Sequence, residues 1–336
     1  MIELLDTKAS AIAAAFVKQR TQHGSPAQGM VMTMVIVADE EGAQDALVSA
    51  RKASHEHPAR VIGLILGSAR GKPAVNAQIG IGDGWSGEVA LIRLSGEVVK
   101  HAESVVLPLL LPDSPVVVWW SNDHPDDPAA DPIGRLARRR ITDAAAVRTG
   151  KTKAVHRLCA AYAPGTTDLA WTRLTPWRAL LAAALDQQPL KVKSATVTAE
   201  RISPSADLLA AWLADRLKVK AARATSQGPG ITEVVLDTAE GPITISRKDG
   251  RLATFSSPDQ PDRPVALKRR DVPELLAEEL RRLDEDDVYA ATAKKLVASG
   301  IARPATRKAA KKSAQKSAQK SARKSARKSA RKSARK

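Results

Sequence analysis

Gly82-Asp-Gly84-Trp-Ser-Gly87 has the G-x-G-x-x-G spacing that lets a backbone cradle a pyrophosphate when it follows a strand and opens a helix. Here it leads into EVALIRL, whose alternation is that of a strand, so no helix N-terminus is expected behind it to hold an anion. A Gly-rich hairpin is the simpler account, and no dinucleotide cofactor is expected. His55-Glu-His57 sets two imidazoles two residues apart, a spacing that does not share a helix face. A cationic helix end explains them better than a metal. Asp123, His124, Asp126, Asp127 and Asp131 crowd one Pro-rich loop, yet they lack a known calcium or magnesium pattern and read as a solvated acidic loop. Cys159 has His156 three residues away, but its flanks VHRL and AAY suggest a half-buried strand in which a lone cysteine is a small hydrophobe. There is no Ser-centred elbow, HExxH or P-loop. No catalytic residue, metal ligand or cofactor is therefore assigned, and the chain is not expected to be an enzyme.

Two other groups suit binding. Arg135, Arg138, Arg139 and Arg140 form a basic cluster ahead of Ile141-Thr-Asp. Guanidinium forks fit phosphates or an acidic protein surface, and a solvated helix face is the plainer reading. Of the ten aromatic residues six are tryptophans: Trp85, Trp119, Trp120, Trp171, Trp177 and Trp212. Trp119–Trp120 end a strand and point to opposite faces. Trp171 and Trp177 flank a helix start beside Arg173 and Arg178 in DLAWTRLTPWR. Trp and Arg are enriched where proteins bind one another, so Trp119, Trp120, Arg139, Arg140, Trp171, Arg173, Trp177 and Arg178 are the candidate partner-binding residues, against a core-packing alternative.

The elements that must position these residues follow from periodicity. Ile2–Arg20 has helical spacing, VMTMVIVAD is a buried strand, Glu41–His55 is helical and ARVIGLILG is a second buried strand. This β–α–β order predicts an α/β layer with a largely parallel sheet. EVALIRL alternates like an antiparallel or edge strand. SGEVVKHAESVVLPLLL reads as a helix capped by Ser95, and SPVVVWW as a further buried strand. Thr175–Pro176 and Ser203–Pro204 each read as an N-cap followed by proline, opening WRALLAAALD and SADLLAAWLADRL. ITEVVLD, PITISR and RLATF are short strands with turns at Gly241–Pro242 and Asp249–Gly250. Helices from Val272 to Leu283 and from Val288 to Ala298 close the body. The expected class is α/β with two domains. Residues 1–165 form an N-terminal α/β domain with a largely parallel sheet, and 166–302 a C-terminal α+β domain with a small antiparallel sheet. Residues 303–336 form a disordered basic tail.

That tail carries fifteen Lys and Arg and no acidic residue, all but two of the net charge of +17. From Lys312 it is a KSAQ/KSAR repeat whose lysines would stack at i, i+4 in a helix, so it is expected to be disordered. Lys312, Lys316, Lys320, Arg323, Lys324, Arg327, Lys328, Arg331, Lys332, Arg335 and Lys336 make it a candidate polyanion site for DNA, RNA or polyphosphate. The body before it is nearly neutral and is not expected to bind nucleic acid. A single cysteine excludes an internal disulfide. No signal peptide or membrane span is visible, so a cytoplasmic protein is expected.

SGEVVKHAESVVLPLLLPDSPVVVWW, RRITD and TTDLAWTRLTPWRALLAAALD resemble the OpcA family of glucose-6-phosphate dehydrogenase assembly proteins, over roughly residues 1–300 in the same order. The resemblance implies a non-catalytic, two-domain cytoplasmic protein. Its partner would be glucose-6-phosphate dehydrogenase, whose oligomerisation and activity it promotes in support of the oxidative pentose phosphate pathway and NADPH supply. Cyanobacterial members are associated with thioredoxin-dependent control through cysteines, a mode that Cys159 alone does not support. The KSAR tail is not part of the family pattern.

Overall fold

The computed structural model describes residues 2–23, 29–81, 87–247 and 252–299. In chain order the elements begin with β1 (Ile2–Leu4), α1 (Ala9–His23), β2 (Met32–Ala38), α2 (Ala43–Ser54) and β3 (Ala59–Leu66). β4 (Ala74–Ile81), β5 (Glu88–Ser95), α3 (Ala102–Val106), β6 (Val116–Trp120) and β7 (Arg139–Thr142) follow. Then come α4 (Lys151–Ala160), β8 (Thr166–Asp168), α5 (Leu169–Thr172), α6 (Thr175–Gln187), β9 (Ser194–Ala199) and α7 (Pro204–Arg216). The last are β10 (Lys220–Thr225), β11 (Ile231–Asp237), β12 (Pro242–Ser246), β13 (Leu252–Ser256), β14 (Arg263–Ala266), α8 (Val272–Arg281) and α9 (Asp287–Ser299).

Two compact units result. Unit 1 joins Met1–Leu180 to Lys268–Ala298, and unit 2 is formed by Leu181–Leu267. This spatial division departs from the expected contiguous one at 165/166: β8, α5 and the start of α6, together with α8 and α9, belong with the first unit.

Unit 1 is built on an eight-stranded sheet in the order β1-β4-β5-β3-β2-β6-β7-β8. β5, β3, β2, β6, β7 and β8 run parallel, and β1 and β4 are antiparallel additions at one side. β2 and β3 are buried on both faces, which is why their runs are continuously apolar rather than alternating. One face packs Ile12 and Phe16 of α1 against Val35, Ile62 and Ile92. The other packs Met34, Ile36, Trp119 and Ile141 against Leu275, Leu276 and Leu280 of α8. Unit 2 has a six-stranded sheet in the order β10-β9-β11-β12-β13-β14, antiparallel except for β10 on β9. The expected mixture of a largely parallel and a small antiparallel sheet is found.

Several local expectations are corrected. Residues 2–4 of the first segment are a strand, and its helix begins at Ala9. The segment after Ser95 is not one helix: it is a 3-10 turn (Gly96–His101), the short α3 and a second 3-10 turn (Leu107–Leu109), because Pro108 denies the backbone N–H a longer helix needs. Ser95 makes no cap; its hydroxyl donates to the Lys72 carbonyl. β5 lies between β4 and β3, so it is not an edge. Arg139 and Arg140 sit on a strand rather than a helix face, and Cys159 sits in α4 rather than in a strand. The burial of Ala154, Val155, Leu158 and Cys159 has helical spacing that the apolar run VHRLCAAY conceals. Gly82, Gly84, Trp85, Asp249, Gly250 and the whole 303–336 tail lie outside the described residues.

Candidate functional site

The motif segments meet at the C-terminal ends of β7 and β8. Asp168 ends β8 and opens α5, its Oδ1 accepting from Ala170 N at 2.8 Å as an N-cap. Its Oδ2 accepts from Thr142 Oγ1 at 2.7 Å and Ala144 N at 2.9 Å. Burial, and then the nearby Asp143 carboxylate, push Asp168 above the usual carboxylate range. Asp143 in turn receives both arms of Arg173 at 2.7 Å, a bidentate pair.

The same segment is tied to α8 and α9, more than a hundred residues on. Arg139 Nη2 donates to Glu279 Oε2 at 2.6 Å and Arg139 Nη1 to the Asp284 carbonyl at 2.8 Å. Thr172 Oγ1 donates to the other Glu279 oxygen at 2.6 Å. Glu279 is driven up by burial and drawn back by Arg139, with burial the larger effect. Thr175 Oγ1 donates to Glu278 at 2.7 Å, and Arg270 bonds both Glu278 and the Thr172 carbonyl. Trp171 Nε1 donates to Asp286 at 2.8 Å while Arg178 lies over the indole at 3.8 Å, a cation–π contact. Tyr289 packs against Trp171 and Tyr162, with centroids 5.6 and 5.8 Å away. Its hydroxyl is within hydrogen-bond reach of the Cys159 thiol, which burial pushes up to about 12. Such a thiol is a poor nucleophile at neutral pH.

This placement decides what the candidate residues do within the chain. Trp119, Trp120, Trp171, Trp177 and Arg139 are all buried, Trp171 to 1% exposure. Arg140, Arg173 and Arg178 are half-buried. Arg140 donates to Thr166 Oγ1 and to the carbonyls of Gly134, Ala137 and Pro164. Arg139, Trp171, Arg173 and Arg178 belong to one charged network, whereas Trp119 and Trp120 point into opposite faces of the sheet, as their strand position requires. Asp143, Asp168, Glu278 and Glu279 are the partners sequence reasoning missed. RRITD and TTD held the first two in plain view, but nothing local says that Glu278 and Glu279 return to them.

The usual ligand crevice of an open α/β sheet lies where strand order reverses, here between β2 and β6. Asp39 follows β2, and its Oδ1 accepts from Gly42 N at 2.8 Å, so a carboxylate already occupies the approach to α2. A side chain on Gly42 would come within 3.2 Å of both Asn122 and Asp39. Arg148 bridges Asp39 at 3.2 Å and Asp123 at 2.5 Å across the crevice. Burial raises Asp123, but the Arg148 bonds outweigh it and hold the group below its ordinary value. Asp126 pairs with Arg157, and Asp127 and Asp131 accept backbone N–H groups of their own loop. Among the described residues no group of three His, Cys, Asp or Glu is placed to hold a metal ion.

Comparison with known families settles the relationship. The glucose-6-phosphate dehydrogenase subunit N-terminal domain of OpcA matches residues 50–160, and the corresponding C-terminal domain matches residues 164–293. The chain belongs to the OpcA family. The OpcA N-terminal match takes in β6, β7 and Asp143, and the C-terminal match takes in Asp168–Arg178 together with α8. The family's role is in assembly of that dehydrogenase. No curated protein matches the chain. Among solved structures, an oxidoreductase from Sinorhizobium meliloti is 9% identical with a TM-score of 0.46, over 81% of this chain and 97% of that one. An oxidoreductase from Pseudomonas syringae is 8% identical with a TM-score of 0.37, over 82% and 91%. Among the described residues no helix is long and apolar enough to cross a membrane.

Proposed function

We propose that this protein is a non-catalytic assembly factor and allosteric activator of glucose-6-phosphate dehydrogenase, acting in the cytoplasm in support of the oxidative pentose phosphate pathway and NADPH supply. The observation that carries the reading is the match of both OpcA domains, in order, over 50–160 and 164–293. The engaged state of the charged groups supports it. Arg139 is paired with Glu279 and Arg173 with Asp143, and Asp168 is held by Thr142 and backbone N–H groups, which suits a scaffold better than acid–base chemistry. Activation then comes from binding one state of the enzyme better than another, a coupling of about 1–3 kcal/mol. Within this reading Trp119, Trp120, Trp171, Trp177 and Arg139 act from inside as core residues, Trp119 on the sheet face that carries α5 and α8 and Trp120 on the opposite face. Arg140, Arg173 and Arg178 supply what reaches the surface.

The test is a titration of purified dehydrogenase with this protein at limiting glucose 6-phosphate. A fall in KM, a rise in kcat or a larger oligomer is expected; if all three stay put, the reading fails. The KSAR repeat favours a second activity in the same chain, polyanion binding by the tail, with serine phosphorylation weakening it by roughly −1.5 to −2 charges per site. Retention on DNA that weakens steeply with salt is the expected signature.

A further inference from the structure

We draw no further inference here: the strongest candidate, the edge strand β10 at one end of the unit 2 sheet, is paired only with β9 among the described residues, and nothing in the structure shows what covers its other side.

Discussion

Arg139 and Glu279 show how a side chain chosen for its surface chemistry becomes an internal strut. Taking both charges out of water is expensive. The 2.6 Å contact is supported by Thr172 on the other Glu279 oxygen and by the Asp284 carbonyl on Arg139 Nη1, while Arg139 Nε is buried without a hydrogen-bond partner among the described residues. Glu279→Ala should lower unfolding free energy by roughly 3–5 kcal/mol, since it strands a buried guanidinium. Urea denaturation measures it, and a loss below about 1 kcal/mol would mean that water reaches Arg139. Cys159 gives a second expectation at this scale. With its pKa near 12 the thiol stays protonated through the physiological range. Iodoacetamide at pH 8 should leave the native protein unmodified and label it once in urea. Labelling of the native protein would show that α4 opens.

Among the elements, α8 begins at the expected Val272 and ends at Arg281, two residues short of the expected Leu283. Asp271-Val-Pro-Glu274 is a capping box with proline in the first turn, and both reciprocal bonds form, each at 3.1 Å. Asp271→Ala should cost about 1 kcal/mol in the same urea assay, an amount that would distinguish a working cap from an incidental contact. β2, β3 and β6 were equally clear, because continuous β-branched runs suit strands covered on both faces. β4 and β7 were not. PAVNAQIGI is only half apolar, and it becomes a strand by pairing with β5 and β1. Three successive arginines in RRRIT hide a strand that exists because β6 and β8 flank it. Thr175 did not act as a cap either: the helix includes it, and its hydroxyl is spent on Glu278.

For the whole molecule, unit 1 is finished only when Lys268–Ala298 returns to a sheet begun by the first 180 residues, with unit 2 inserted between. The tail follows both in sequence, and its effect should be separable. Protein ending at Ala302 should activate the dehydrogenase as the full chain does and lose retention on DNA at low salt, with log K for the full chain falling by about 0.9 per phosphate neutralised for each decade of salt. Loss of activation on truncation would place the tail on the enzyme instead. By itself the sequence determined which segments are helices and strands wherever one periodicity dominates, the character of the tail, and the family, through motifs held in order. Only the tertiary structure decided that the tryptophans of those motifs face inward and that Asp143, Glu278 and Glu279 pair with Arg173, Arg270 and Arg139. Those outcomes depend on pairings between residues up to 140 positions apart, and local periodicity records which face a residue takes but not what will come to cover it.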